Sequence, residues 1–253
     1  MIETHLGETI DIHGGGQDLI FPHHENEIAQ GTCAHDGNAY ARYWVHNGYI
    51  TVSGDKMSKS LGNFSTVREL LQKAPGEAIR FALLTGHYRQ PLDWSPQALL
   101  QARAGLDRLY NALRGVAGIE SVAKAPLTSV VEALDDDLNT PLAITRLHTI
   151  ANELNKAREP GEVARLKGLL LGSGEILGIL QQDPEAWFRW APATARGPAN
   201  AEIDALVSER RAARERRDFA RADAIRDELE AVGVLLEDGS QTTRWRRVEE
   251  ETR

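Results

Sequence analysis

The sequence predicts an α/β fold in its first part, an all-α helical bundle in its middle and a small α+β domain at its C-terminal end. In the first part, β-rich runs around Thr9–His13 and Tyr43–Val52 enclose a stretch of good helix formers from Pro22 to Gln30. From Thr66 onward the apolar residues recur at the spacing of amphipathic helices. A proline-containing stretch at 183–200 then precedes two more helical patterns and a hairpin pattern.

The predicted helices carry start signals. Thr66 and Glu69 form a capping-box pattern, and Ser95 followed by a proline predicts a helix that runs from 96 to Gly115. Asp218 is expected to cap a helix that ends before Gly233. Amphipathic patterns also cover 127–135, 140–158 and 161–180. We therefore predict a domain over 1–95, a helical bundle over 96–182, a linker over 183–200 and a small domain over 201–253.

Charge and composition exclude some classes of protein. The net charge of −8 argues against a chain held on nucleic acid by overall charge, so any RNA contact must be local. A single cysteine, Cys33, rules out an intrachain disulfide and fits a reducing compartment. No apolar run approaches the ~20 residues that cross a bilayer, and the first residues lack a signal-peptide pattern. The chain is therefore expected to be cytoplasmic and free of membrane contact.

The segment Lys56–Ser60 carries two lysines among serines between a predicted strand and a predicted helix. A solvated loop is one interpretation. The other is ATP chemistry, because lysine is a flexible point charge that can follow the negative charge building on departing pyrophosphate. Of the two lysines, Lys59 is the stronger candidate.

A glycine triplet, Gly14–Gly16, follows the first predicted strand. It is either a simple turn or a place where the backbone approaches a nucleotide, with His13 and Asp18 contacting ribose, amino group or phosphate. Further on, His23 and Glu27 are four residues apart on the predicted helix, so both can reach one metal ion. A surface ion pair or a helix-terminal histidine is the alternative.

These segments together resemble the cysteinyl-tRNA synthetase family. Lys56–Ser60 matches the KMSKS signature of class I aminoacyl-tRNA synthetases at every position, and Asp11–Gln30 resembles the cysteinyl signature rather than those of other class I enzymes. The resemblance covers essentially the whole chain. It continues through Cys33–Gly37, Gly86–Arg89, Leu109–Leu113, Asp135–Asp137, Asn139–Pro141, Phe219–Asp223 and Trp245–Arg247.

The resemblance implies a reaction and its site residues. The first part would be the remnant of a class I, Rossmann-type catalytic domain, the bundle a DALR-type anticodon-binding domain, and the last domain a tRNA-binding one. The reaction would be ATP-dependent ligation of L-cysteine to tRNA(Cys) through cysteinyl adenylate, with magnesium accompanying ATP. Lys59 and Lys56 are then catalytic candidates. The ATP-binding candidates are Lys59, His13, Gly14, Gly15, Gly16, Asp18, Lys56, Met57, Ser58 and Ser60.

The resemblance also implies one zinc ion that binds the substrate thiolate, with His23 and Glu27 as matching ligands. Zinc holds a thiolate strongly and a hydroxyl poorly, so this contact rejects serine without an editing site. Cys33 does not match a family ligand and is expected to be an ordinary buried thiol. The Arg/Glu-rich segment Glu209–Arg217 is either a solvated helix face or a tRNA contact, and Trp245 is a candidate for stacking on an unpaired base.

Part of the family pattern has no counterpart in residues 1–253. These residues contain nothing that resembles the HIGH signature or the two further cysteines expected as zinc ligands. The chain is therefore expected to be a fragment that alone neither holds zinc tightly nor forms the adenylate. The full-length protein is expected to be a monomer. Two rival functions stay open. One is the related ligase that joins cysteine to an amino sugar in mycothiol synthesis, and the other is a non-catalytic tRNA-binding module from residue 96 onward.

Overall fold

The computed structural model describes residues 2–52, 55–57, 65–192, 195, 197–239 and 243–248. The chain divides into two compact units. Unit 1 comprises Met1–Ser65, Arg80–Arg103 and Thr128–Arg146, and unit 2 comprises Thr66–Ile79, Ala104–Leu127 and Leu147–Arg253.

Unit 1 opens with the predicted alternation of strands and helices. Helix α1 (Ile2–Leu6) precedes strand β1 (Ile10–Gly16), which pairs in parallel with β2 (Ala41–Asn47). The crossover between them consists of a 3₁₀ turn (Gln17–Leu19), a π-helical turn (Ile20–His24) and helix α2 (Glu25–Ala34). The α/β prediction is therefore confirmed.

Three local predictions in and beside this crossover are wrong. The glycine triplet is not a loop, because Gly14–Gly16 continues β1 in register with Val45–Asn47. The single helix expected over Pro22–Gln30 is split, since a π-helical turn ends at His24 and α2 begins at Glu25. In addition, Cys33 is exposed rather than buried, because it lies on a face of α2 that no described residue covers.

A second sheet of unit 1 has the order β4-β3-β5. Its strands are β3 (Ile50–Val52), β4 (Asp55–Lys56) and β5 (Leu92–Asp93). β3 pairs antiparallel with β4 and parallel with β5. Gly48 is required just before β3, because a Cβ there would collide with the backbone of Gln90.

The helices expected in the middle of the chain are present. They are α3 (Val67–Leu71), α4 (Gly76–Leu84), α5 (Pro96–Gly115), α6 (Thr128–Asp135), α7 (Thr140–Lys156), α8 (Pro160–Leu177) and α9 (Pro184–Phe188). The capping box is confirmed, with Thr66 Oγ1 accepting from the Glu69 amide at 3.2 Å and the Glu69 carboxylate accepting from the Thr66 amide at 2.8 Å. The stretch predicted as a linker contains α9, whose Trp187 and Phe188 are buried.

The last part of unit 2, here called the terminal module (residues 200–247), has the predicted α+β composition. It contains α10 (Asn200–Glu215), α11 (Phe219–Ala231) and the antiparallel hairpin of β6 (Val234–Asp238) and β7 (Thr243–Arg247). Asp218 caps α11 as predicted, accepting a hydrogen bond from the Arg221 amide. Its core consists of Ile203, Ile225, Leu229, Val234 and Trp245.

Among the described residues, no helix is both long and apolar enough to cross a membrane.

Candidate active site

Three histidines and a glutamate gather beside β1 and β2. We call His13, His24, His46 and Glu27 the histidine cluster. His24 Nδ1 lies 2.8 Å from His46 Nε2, and His13 Nε2 lies 2.8 Å from Glu27 Oε2. The strands supply His13 and His46, the π-helical turn supplies His24, and the first turn of α2 supplies Glu27.

Gly15 makes room for this cluster. A Cβ at this position would come within 2.8 Å of His24 Cε1 and 3.1 Å of its Nε2. Gly15 pairs in register with His46, so the glycine leaves space for the His24 ring directly beside the strand pair. The absence of a side chain at Gly15 therefore allows the His24 ring to pack beside the strand pair.

Aromatic side chains line the same region. The Trp44 ring meets His13 edge-on with centroids 4.7 Å apart, and lies 5.3 Å from His24. His24 is 5% exposed. Burial, followed by the charges of His24 and Arg89, lowers the pKa of His46. His46 is thus favoured as a neutral imidazole at neutral pH, able to orient the His24 ring through their hydrogen bond.

The cluster fits a divalent metal ion. One ligand atom from each of His13, His24 and Glu27 lies within 4.8 Å of the other two. Imidazole nitrogen and carboxylate oxygen are zinc ligands. Glu27 Oε2 is buried and, although close enough to His13 for an ion pair, lacks a hydrogen bond of good geometry among the described residues. A metal ion would satisfy this oxygen.

The structure does not bring both predicted zinc ligands to one point. Glu27 lies in the cluster, whereas His23 is exposed and outside it. The reason is local: the chain is π-helical up to His24 and has an extended residue, Phe21, within that turn. In this arrangement His24 packs against Trp44 and His46 of β2, and His23 is left exposed.

His24, His46 and Trp44 were not predicted as site residues from the sequence. A signal for them does exist in the alternation of side chains along strands. His13 and Gly15 share one face of β1, and Trp44 and His46 share the same face of the paired β2. Reading the two runs as parallel neighbours would have placed all four positions together.

A second polar cluster of unit 1 centres on Asp137. Arg89 donates from Nε to Asp137 Oδ2 at 2.6 Å and from Nη2 to Oδ1 at 3.1 Å. The Tyr88 hydroxyl donates to Oδ1 at 2.7 Å. The Arg89 carbonyl also accepts a hydrogen bond from Gln17 at 2.7 Å, which links this cluster to the turn that follows β1.

The remaining predicted ATP-binding residues are only partly within the described structure. Ser58, Lys59 and Ser60 lie outside the described residues, and the backbone of Lys56 belongs to β4. The Met57 amide donates to the Ile50 carbonyl at 2.9 Å. Asp18 is exposed in the 3₁₀ turn. The ATP-binding assignments stay predictions.

In the terminal module, the expectation for Trp245 is wrong. It is 1% exposed, its Nε1–H donates to Asp204 at 2.8 Å, and it belongs to the core, so it is not free to stack on a base. The Arg/Glu-rich segment is mixed. Arg210 is buried against Asp238, whereas Arg211, Arg216 and Arg217 are exposed and form no ion pair with another described residue.

Comparison with known proteins finds family models that match three successive regions of the chain. Residues 1–104 match the model of the tRNA synthetases class I (C) catalytic domain, residues 129–181 match the DALR domain, and residues 197–246 match the cysteinyl-tRNA ligase anticodon binding domain. A cysteine–tRNA ligase of Paramagnetospirillum magneticum is 61% identical over 246 residues, which are 96% of this chain and 53% of the relative. The chain belongs to the cysteine–tRNA ligase family. The resemblance predicted from the motifs is therefore confirmed.

Other members of the cysteine–tRNA ligase family agree with this. The relative from Rhodospirillum rubrum is 54% identical over 247 residues, which are 98% of this chain and 54% of the relative. The chain spans about half the length of the curated relatives it matches. Among solved structures, the ternary complex of LeuRS, tRNA and LeuAMS from Agrobacterium radiobacter K84 has a TM-score of 0.52 and 20% identity, covering 69% of this chain and 28% of that chain. This last likeness concerns the fold alone.

Proposed function

We propose that this chain takes part in the ATP-dependent ligation of L-cysteine to tRNA(Cys) through a cysteinyl-adenylate intermediate. The observation that carries the proposal is the order of the three family matches, catalytic, DALR and anticodon-binding, along one chain. The proposed partners are L-cysteine, ATP with magnesium, and tRNA(Cys), and the proposed setting is the cytoplasm.

In the proposed first step, the cysteine carboxylate attacks the α-phosphate of ATP, and pyrophosphate leaves. Lys59, assisted by Lys56, stabilises the negative charge on the departing pyrophosphate. The residues proposed to hold the nucleotide are His13, Gly14, Gly15, Gly16, Asp18, Met57, Ser58 and Ser60. In the second step, a ribose hydroxyl of the tRNA end attacks the activated carbonyl and AMP leaves.

We further propose that one zinc ion selects cysteine. Bound zinc would hold the substrate sulfur as a thiolate, a ligand much stronger than the hydroxyl of serine. The family resemblance proposes His23 and Glu27 as ligands, whereas the geometry of the cluster supports Glu27 with His13 and His24. His46 orients His24 in the latter arrangement.

Metal stoichiometry separates these ligand sets without relying on activity. Each variant, His23→Ala, His24→Ala and Glu27→Ala, is made in a chain extended upstream in the same reading frame and equilibrated with zinc. Its bound metal is then measured, with cobalt absorption as a second reading. If zinc affinity falls in Glu27→Ala and in only one of the two histidine variants, that histidine is the ligand that acts with Glu27. Unchanged zinc affinity in Glu27→Ala would show that Glu27 is not a ligand, and both proposed ligand sets would then be wrong.

The two rival functions differ in their acceptor. A ligase for an amino sugar has no use for an anticodon-binding domain, so the match over residues 197–246 favours tRNA as acceptor. A non-catalytic tRNA-binding module would bind tRNA without dependence on ATP, with an affinity that falls steeply with salt. The Lys56–Ser60 motif and the histidine cluster favour the catalytic alternative.

Cysteine-dependent exchange between ATP and pyrophosphate tests the first step. It is measured on this chain and on a chain extended upstream in the same reading frame. We expect exchange in the extended chain and none in the short one, since the HIGH signature has no counterpart in residues 1–253. Exchange in neither chain would support the non-catalytic module. Exchange in the short chain would contradict the expectation that it is inactive alone.

A further inference from the structure

The second half of α5, which belongs to unit 2, carries three polar side chains that contact other elements of this unit. Asp107, Tyr110 and Arg114 are spaced by three and four residues and so share one face of the helix. We call them the α5 polar face. Tyr110 is fully buried and Arg114 is 2% exposed. Buried polar groups of this kind persist only when their partners are in place, so their partners define what the helix holds together.

At one end, the α5 polar face holds the first turn of α4. The Tyr110 hydroxyl donates to Glu77 Oε2 at 2.6 Å, and Glu77 Oε1 accepts from the Gln181 amide at 2.9 Å. The Gln182 amide donates to the Tyr110 hydroxyl at 3.2 Å. Glu77 belongs to the region matched by the catalytic-domain model, and Gln181 is the last residue of the DALR match.

In the middle, the α5 polar face anchors α9. The Trp187 ring stacks on Tyr110 with centroids 4.7 Å apart and an interplanar angle of 16°. Trp187 Nε1–H donates to Asp107 Oδ1 at 2.6 Å. The position of α9 is therefore fixed by one stacked ring and one directed hydrogen bond.

At the other end, Arg114 joins α5 and α9 to the hairpin of the terminal module. Its Nε and Nη2 donate to Glu185 at 2.7 and 2.8 Å, and its Nη1 donates to Glu237 at 2.7 Å. Nη2 also reaches the Trp245 carbonyl at 3.4 Å. The guanidinium thereby makes four hydrogen bonds to three elements, a geometry that lysine cannot reproduce.

We propose that Arg114 is a positioning residue that fixes the orientation of the terminal module on α5, so that one tRNA contacts the module and the other helices of unit 2 simultaneously. The inference rests on the proposed function, since it requires tRNA as the ligand. Two contacts on one rigid ligand reinforce each other only when the geometry allows both at once. If the module is released from α5, each separate contact with tRNA is kept, but the two contacts no longer strengthen each other.

The test compares two RNA ligands on the full chain. One is intact tRNA(Cys), and the other is a hairpin of its anticodon stem and loop alone. The variants are Arg114→Met, which removes the hydrogen bonds of the guanidinium, and Glu237→Gln, which weakens its bond to β6 and also the Glu237–Arg246 pair within the hairpin. Arg165→Met is the matched control, because Arg165 makes an exposed pair within α8 with Glu162. Circular dichroism establishes that each variant is folded at the assay temperature.

We expect the unmodified chain to bind intact tRNA at least about 10-fold more tightly than the hairpin. Arg114→Met should lose most of this difference while its affinity for the hairpin changes by less than about twofold. Glu237→Gln should show a smaller loss in the same direction, and Arg165→Met none. A purely structural role would lower both affinities together.

Two outcomes would overturn the inference while leaving the proposed function in place. One is that folded Arg114→Met and Glu237→Gln keep the full difference between tRNA and hairpin. The other is that both variants lose affinity for the hairpin and the tRNA in parallel. If the unmodified chain binds neither RNA, the proposed function of this chain in tRNA binding is wrong, and the inference falls with it.

Discussion

Asp137 shows how a single exposed carboxylate is held by its neighbours. Hydrogen bonds from Arg89, and then from Tyr88, lower the pKa of Asp137 from 3.8 to about 2. The folded pKa lies below the value of about 3.9 for an unfolded chain. The stabilisation is therefore fully present above pH about 4 and is lost as the pH falls through about 2.

This linkage predicts a pH dependence. The melting temperature of the unmodified chain should exceed that of Asp137→Asn at pH 5, and the difference should shrink progressively as the pH falls to about 2. Tyr88→Phe removes one donor and keeps Arg89, so it should show a smaller difference with the same pH trend. Thermal unfolding followed by circular dichroism between pH 2 and 6 measures it. A difference that does not vary with pH would contradict the role of Asp137.

Trp245 shows the limit of inferring a role from residue type. Aromatic residues near arginines are typical of RNA-binding surfaces, yet this ring lies in the core of the terminal module, with the Arg189 guanidinium 4.9 Å from its centroid. The side chains of Ile203, Ile225 and Leu229 that enclose it come from two helices. Their burial around one tryptophan could not be deduced from the hairpin sequence alone.

Trp245→Ala should therefore destabilise the chain by about 3–5 kcal/mol, since it leaves a large cavity. Trp245→Phe keeps most of the apolar volume but loses the hydrogen bond to Asp204, so its effect should be smaller. Urea unfolding followed by circular dichroism gives both values. Trp190→Ala, at a half-buried position, is the comparison. Equal stability of Trp245→Ala and the unmodified chain would mean that this ring is not in the core.

At the scale of elements, the residues that cap helix N-termini were the most informative part of the sequence. The caps at Thr66 and Asp218 are local, because a side chain within three residues satisfies a free backbone amide. The π-helical turn ending at His24 was not predictable in this way. Its geometry depends on how the chain leaves β1 and packs against β2, which involves residues far apart in sequence.

The capping box makes a prediction for α3, the helix that follows the Lys56–Ser60 segment. Thr66→Ala should lower the free energy of unfolding by about 1 kcal/mol, because it leaves the Glu69 amide without its acceptor. Thr66→Ser keeps the hydroxyl and should be close to the unmodified chain. Urea unfolding of the unmodified chain and the two variants measures these free energies. Equal loss in the alanine and serine variants would indicate that the hydroxyl is not the source of the effect.

At the scale of the whole molecule, the sequence indicated the family and the secondary-structure class of each region. Contacts between segments far apart in the sequence could be identified only in the structure. The motif at Lys56–Ser60 is contiguous and was recognisable directly. Arg114, by contrast, contacts Glu185 and Glu237, which lie 71 and 123 residues further along the chain. No spacing rule connects residues so far apart, because the intervening helices set their approach.

The same distinction applies to the candidate site. His13 and Glu27 were identified from the sequence, and the structure brings them within 2.8 Å of each other. Their grouping with His24 depends on β1 pairing with β2 and on a glycine whose position leaves room for the ring. The sequence thus singled out two of the grouped residues, His13 as a nucleotide contact and Glu27 as a metal ligand, but not their grouping with His24.

The proposed function is tested most directly by transfer of labelled cysteine to tRNA(Cys), using the chain extended upstream. We predict that cysteine and not serine becomes esterified to the tRNA in an ATP-dependent reaction, and that Lys59→Ala slows the reaction by about 10²–10³-fold. Transfer of cysteine to an amino sugar with no transfer to tRNA, or no cysteine-dependent reaction at all, would contradict the proposed function.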